Sequence, residues 1–379
     1  VQIIETIREN PLNFILIILI LSFLIQIIYY LGIYIRVVFH KDNPKNDEEI
    51  PLSVIICAKD EEENLKKNLP SILEQNYPNF EVIVVNDGSS DDTNTVLDNF
   101  QKKYSHLRTT EIKQDEKFTH GKKLAVTIGI KAAKSEWLVF TDADCKPSSN
   151  KWLKRISEKI TPEVKIILGY GGYYTKPTLL NNIIRYDTLS IALQYFSYAL
   201  AGFPYMGVGR NMAYKKSLFY ENKGFSGHYN IDSGDDDLFI NQTANKKNTE
   251  VCMSADSMTL SQPKETLSAW FKQKKRHLST SKFYKGGSKF RLGVEIFSRL
   301  LFYASFVFSL IFFPYFYIYI LSIFAFKMAS QMIITGNMAK KFKEKYIVIP
   351  AIFYDIFIPF FNFIVIVANK ISRNNNRWT

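Results

Sequence analysis

Apolar positions follow two different rhythms along this chain. Residues 12–35, "LNFILIILILSFLIQIIYYLGIYI", contain no charged side chain and are apolar on every side of a helix. Such a run is long enough to cross a bilayer. It exceeds a signal-peptide core, and no small-residue cleavage site follows it, so it predicts a retained anchor within residues 1–40. Similar runs return at residues 297–313, 315–335 and 346–368. They predict about three more membrane helices within residues 293–379, with Pro314, Pro350 and Pro359 as candidate kinks. Between residues 50 and 292 the rhythm changes. Short β-branched runs at residues 52–58, 80–87 and 137–141 alternate with amphipathic stretches such as "SSDDTNTVLDNFQKKY" and "KKLAVTIGIKAAK". Strands joined by crossover helices predict an α/β domain, a mostly parallel sheet with helices on both faces.

Composition adds two constraints. The 379 residues include 30 Phe and 22 Tyr and carry a formal net charge of +12, a balance suited to anionic partners. Cys57, Cys145 and Cys252 lie far apart, which argues against a disulfide framework or a thiolate metal site and fits a reducing compartment. Arg36, His40 and Lys41 follow the first apolar run, whereas Glu5, Arg8 and Glu9 precede it. The positive-inside rule then places the central domain in the cytoplasm. Three further spans put the C-terminal tail outside, against the positive charge of Lys370, Arg373 and Arg377.

The chemistry gathers where strands end. In "EWLVFTDADCKP" a buried strand runs directly into Asp142 and Asp144. Alternate residues of an extended segment point the same way, so the two carboxylates converge and repel unless a cation joins them. Oxygen ligands of this kind suit Mg²⁺ or Mn²⁺, which complete their shells with phosphate oxygens. Asp87 ends the second strand and can accept hydrogen bonds from a nucleoside, while Asp91 and Asp92 suit helix capping. Gly121 and Lys122 open a helix, a position suited to a nucleotide or its phosphates. Asp235, Asp236 and Asp237 exceed what helix capping needs, and one of them suits a general base. Residues 265–291 interleave lysines and arginines with Trp270, Phe271, Phe283 and Tyr284; beside membrane spans this reads as an interfacial segment on anionic lipids rather than a nucleic-acid site. No glycine fingerprint follows the first strand, and no P-loop, zinc spacing or nucleophile elbow is present, which excludes the common dinucleotide, ATPase and serine-hydrolase classes.

In order, "SVIICAKDEE", "VVNDGSSDDT", "TDADC", "GVGRNMA", "SGDDDLF" and "QKKRH" resemble the motif series of membrane-bound family 2 glycosyltransferases with a GT-A fold, including the polysaccharide-synthase-like branch. The resemblance covers about residues 50–280. It implies an inverting, metal-dependent transfer from a nucleoside-diphosphate-sugar to a lipid-linked, lipid or glycan acceptor, in cell-envelope synthesis at a bacterial inner membrane. It implies that Glu61 and Asp87 face the nucleoside, that Asp142 and Lys122 lie near the nucleotide-sugar, and that Asp144 binds Mg²⁺ or Mn²⁺. Arg276 then clamps the diphosphate, Asp236 is the catalytic base, and Gly209, Arg210, Asn211, Gln273 and His277 line the acceptor side. Two departures stand out. His277 occupies the place of the usual Trp of Gln-x-x-Arg-Trp, which favours a single transfer over processive synthesis. Lys59-Asp60-Glu61 replaces the commoner Tyr-Asn-Glu or Arg-Asn-Glu. The alternatives are a processive polysaccharide synthase with export and a non-catalytic membrane sensor of nucleotide-sugars.

Overall fold

The computed structural model describes residues 12–113, 121–231 and 233–371. Glu5, Arg8 and Glu9, and Arg373 and Arg377 in the tail, lie outside the described residues. A seven-stranded sheet has the order β3-β2-β1-β4-β8-β6-β9. These strands are β1 (Leu52–Ala58), β2 (Phe80–Asn86), β3 (Leu107–Glu111), β4 (Trp137–Asp142), β6 (Ile166–Leu168), β8 (Met212–Lys215) and β9 (Thr249–Val251). β1 pairs in parallel with β2 and β4, and β2 with β3. β8 runs antiparallel to both of its neighbours, so the sheet is mixed but mostly parallel, as the pattern predicts. A second sheet of three short strands, β5 (Lys146–Pro147), β10 (Thr259–Ser261) and β7 (Gly171–Tyr173), stands beyond the end of β4.

Period-two alternation assigns the strand side chains to two cores. Ile55, Ile83, Val85, Leu138 and Phe140 face one. Val54, Ile56, Val82, Val84 and Val139 face the other. The helices that cover these faces are α2 (Glu62–Leu73), α3 (Thr93–Lys103), α4 (Lys122–Ala132), α5 (Trp152–Ser157), α6 (Leu179–Leu200), α7 (Lys216–Glu221) and α8 (Asp237–Thr243). α4 lies so close to the sheet that a β-carbon on Gly129 would come within 2.6 Å of Ile55 Cγ2. This absence of a side chain brings the first turn of α4, and Lys122 with it, down onto the ends of β1 and β4.

Four helices among the described residues are long and apolar enough to cross a membrane. They are α1 (Asn13–Phe39), which contains a π-helical stretch at Ile28–Tyr34, then α10 (Gly286–Phe312), α11 (Tyr317–Lys341) and α12 (Ala351–Ile371). α10 begins well before the apolar run that marked it, absorbing the end of the basic segment. That segment is therefore three pieces: α9 (Leu267–Leu278), a 3-10 turn at Ser281–Phe283, and the first turns of α10.

The apolar helices share a buried ionic cluster. Arg299 on α10 donates to Asp355 on α12 at 2.9 Å and also pairs with Glu295 one turn earlier. Lys327 on α11, fully buried, reaches the other Asp355 oxygen at 2.8 Å and Gln331 Oε1 at 2.6 Å. Tyr303 OH donates to the same carboxylate at 2.6 Å. Two cations and two carboxylates thus balance inside the bundle, the condition under which charge is tolerated there.

Candidate active site

The exits of β1 and β2 are knotted together by short polar side chains. Asp60 adopts φ 54°, a left-handed conformation that Asp tolerates better than most residues. From there its Oδ1 accepts from Ser90 N at 2.7 Å and Ser90 Oγ at 2.9 Å, while its own N–H donates to Ser89 Oγ at 2.9 Å. Asp91 accepts from Glu62 N and Thr93 N, capping both following helices. Between these loops sit the half-buried Glu61, which accepts from Asn64 Nδ2 at 2.6 Å, and the buried Asp87 at the end of β2. Burial, with Asp144 and Asp142 adding negative charge, holds the Glu61 carboxyl above its ordinary pKa despite Asn64.

The end of β4 supplies the acidic rim. Ligand atoms of Asp142, Asp144 and Cys145 lie within 4.8 Å of one another. Cys145 is buried, and burial together with both acids pushes its thiol well above the ordinary range, so it stays protonated. The donor set that remains is a carboxylate pair, the hard-oxygen chemistry of Mg²⁺ or Mn²⁺. Burial and the neighbouring Asp142 charge raise the pKa of Asp144, the signature of two like charges short of a counter-ion. The residues present therefore fit a divalent cation. Burial would raise Asp142 as well, but Lys122 foremost, then Arg210 and Arg276, hold it below the usual carboxylate value.

Lys122 bridges two acidic segments. Its Nζ lies 2.7 Å from Asp142 Oδ1 and 3.7 Å from Asp235 Oδ2. Burial opposes its charge, yet Asp142, Asp235 and Asp236 outweigh burial and keep it protonated. The three consecutive acids divide their tasks. Asp235 faces Lys122. Asp237 turns inward, where Thr280 Oγ1 and Tyr284 OH donate to it. Asp236 stays at the site: Gly209 N donates to its Oδ2 at 2.8 Å and Asp237 N to its Oδ1 at 2.7 Å. A side chain on Gly209 would begin 3.3 Å from that Oδ2, crowding the carboxylate. Burial and the charges of Asp235 and Asp237 raise the Asp236 pKa to about 7.

On the second sheet, the Arg210 guanidinium lies 4.3 Å over the Tyr173 ring and donates to Ser261 Oγ at 3.3 Å. Gln273, on α9, donates to Tyr173 OH at 3.2 Å. Tyr173 thus joins two segments that the motif series treats separately, and no sequence motif marks it. The half-buried Arg276 follows on the same helix, and His277 lies exposed. Asn211 points elsewhere: its Oδ1 accepts from Trp152 Nε1 at 3.0 Å and its Nδ2 donates to the carbonyls of Tyr170 and Ser257 at 2.7 and 2.8 Å. It is 1% exposed and anchors the loop carrying Gly209 and Arg210 instead of lining the open site. Asp235 is the further acid that motif reading left unassigned; its adjacency to Asp236 was its only signal.

A mostly parallel sheet with an acidic rim at its strand ends and a small mixed sheet beside it is the architecture of the GT-A fold. Residues 53–222 match the Glycosyl transferase family 2 model. The chain resembles "Glycosyltransferase AglE" of Haloferax volcanii, 32% identical over 37% of this chain and 45% of that protein. It also resembles "Poly-beta-1,6-N-acetyl-D-glucosamine synthase" of Staphylococcus epidermidis, 28% identical over 37% of this chain and 33% of the synthase. The aligned region spans less than half of either relative. Among solved structures, a mannosyltransferase from Pyrobaculum calidifontis in complex with GDP-Man and Mn²⁺ superposes over 96% of this chain and 100% of its own, with TM-score 0.61 and 17% identity. That likeness extends the shared fold beyond residues 53–222.

Proposed function

We propose that the protein is an inverting glycosyltransferase that moves a sugar from a nucleoside-diphosphate-sugar to a lipid-linked or lipid acceptor at the cytoplasmic face of a membrane. The observation that carries this reading is Asp236. Its two oxygens are oriented by backbone N–H groups, its pKa lies near 7, and the loop of Gly209 that holds it continues into Arg210 beside the second sheet. A carboxylate so placed is suited to take a proton at neutral pH.

In the proposed reaction, Asp236 removes the proton of an acceptor hydroxyl. The acceptor oxygen bonds to the anomeric carbon from one face as the bond to the diphosphate oxygen breaks on the other, and the configuration inverts. Negative charge moves onto the departing nucleoside diphosphate, and in this reading Arg276 and Lys122 offset it. Glu61 and Asp87 hold the nucleoside. Asp144, with Asp142 beside it, would hold Mg²⁺ or Mn²⁺, which when bound neutralises diphosphate charge. Arg210, Gln273 and His277 face the acceptor, and the apolar helices keep that acceptor at the lipid surface.

The test is a screen of the purified full-length chain in detergent against nucleotide-sugars and polyprenyl-phosphate or glycolipid acceptors, reading diphosphate release with Mg²⁺ or Mn²⁺. Acceptor-dependent release that Asp236→Asn abolishes supports the proposal. Tight nucleotide-sugar binding with no turnover for any acceptor points to the sensor reading instead. The likeness to the Staphylococcus synthase favours a second version, processive polymerisation, and product length separates it from single transfer. The exposed His277, where a stacking Trp is usual, favours single transfer.

A further inference from the structure

Lysines in "QKKRH" read as an outward, lipid-facing basic stretch, but one of them points inward. Lys274 Nζ contacts both oxygens of Asp187 on α6, at 3.0 and 2.9 Å, and both side chains are only 5% exposed. Neither residue has a place in the reaction derived above. A charged pair so far from water needs close mutual geometry to be tolerated, and so it fixes the relative position of the two helices that carry it.

Other contacts of α9 show what this pair adds. Trp270 stacks on Phe361 of α12 at 4.4 Å with an interplanar angle of 5°. Asn369 Nδ2, also on α12, donates to the Lys275 carbonyl at 2.9 Å. Both contacts tie α9 to the apolar bundle. Gln273, donating to Tyr173 OH at 3.2 Å, ties another side of α9 to the second sheet. Lys274 adds a buried ionic constraint from a further element, α6. Two residues along a helix is about 200° of rotation, so pinning Lys274 inward turns Arg276 to the opposite side. Arg276 lies one turn beyond Gln273, on the face of α9 that meets Tyr173 under the Arg210 guanidinium, and its charge acts on Asp142.

We propose that the buried Lys274–Asp187 pair is a positioning element that sets the rotation of α9 and so presents Arg276 to the distal phosphate of the donor nucleotide. The inference rests on the diphosphate role proposed for Arg276, and its test separates the two. The role predicts a selective defect: a mis-set Arg276 weakens binding of a nucleoside diphosphate but spares the monophosphate, which lacks the distal phosphate.

The experiment measures affinities of the full-length chain in detergent for UDP, GDP, UMP and GMP with Mn²⁺ by calorimetry. The wild type is expected to favour the diphosphate of its cognate base. Arg276→Ala removes most of that preference. Lys274→Met and Asp187→Asn each reduce diphosphate affinity about tenfold or more and change monophosphate affinity less than about twofold. Exchanging the two residues, Lys274→Asp with Asp187→Lys, recovers part of the loss. Should either single variant fold poorly, the neutral double variant Lys274→Met with Asp187→Asn, which leaves no lone buried charge, carries the test with the same expectation. Unchanged diphosphate preference in these variants beside a clear loss in Arg276→Ala overturns the positioning role alone, and an equal loss of both nucleotides, unrescued by the exchange, does the same. A wild-type preference untouched by Arg276→Ala overturns the diphosphate role and this inference with it.

Discussion

Two clusters of charge in this molecule use the same residue types to opposite ends. Within the bundle of apolar helices, Glu295 and Asp355 each contact a cation directly, and the two acids are matched by Arg299 and Lys327. Among the described residues at the sheet rim, Asp142 and Asp235 share one lysine, Asp144 has no cationic partner within 4.0 Å, and the hydrogen bonds to Asp236 come from backbone N–H groups. The first arrangement is electrically closed and holds helices together. The second is open and has acidic capacity left for a metal, a sugar or a proton. Matched charge signals architecture; unmatched charge on a rigid edge signals chemistry.

The contrast is broken most sharply at Asp236. Asp236→Asn keeps the shape of the side chain and removes the base, and transfer is expected to fall by about 10²–10⁴-fold while nucleotide affinity stays near wild type. Normal turnover in that variant removes Asp236 from its role. The opposite cluster answers in stability. Lys327→Met leaves Asp355 short of one partner in the interior and is expected to cost about 3–5 kcal/mol in detergent unfolding experiments, with the nucleotide affinity of the folded fraction unchanged. Asp144→Ala is expected to weaken Mn²⁺-dependent nucleotide binding about tenfold or more and to leave thermal stability within a few degrees; a metal dependence identical to wild type contradicts the assignment. At one unit below neutral the effect of pH is comparable to that of Asp144→Ala. Asp236, facing Asp235, Asp237 and Lys122, has its pKa raised to about 7, and the active form is the carboxylate. Protonation removes the base, so transfer should fall about tenfold for each unit below pH 7 and level off above it. A pH profile flat from 5 to 8 rules out that assignment.

The rim was legible because its signals are local. The strand ends at Asp142 itself, and a tight turn through Ala143 and Asp144, closed by Cys145 N donating to the Asp142 carbonyl at 3.0 Å, keeps the second carboxylate at the same edge; short spacing, not extended alternation, brings the two together. Asp87 likewise follows β2 directly. What escaped the sequence depends on partners far along the chain. Asn211 sits inside a motif that faces the site, yet its amide bonds inward to Trp152, Tyr170 and Ser257. Lys274 belongs to a basic stretch, and only the presence of Asp187, on a helix far upstream, draws it into the interior. The start of α10 was hidden for a different reason: its first turns are polar, so hydropathy marks only the apolar part of a longer helix.

The ionic cluster also bears on how the chain is made. α11 is synthesised before α12, so Lys327 exists for a time without Asp355. Until then Tyr303 OH and Gln331 Oε1, on helices already made, are its partners at 2.8 and 2.6 Å. A lysine midway along an apolar helix would cost about 2.5–3.5 kcal/mol in hydrocarbon, a cost that the arrival of Asp355 on α12 offsets.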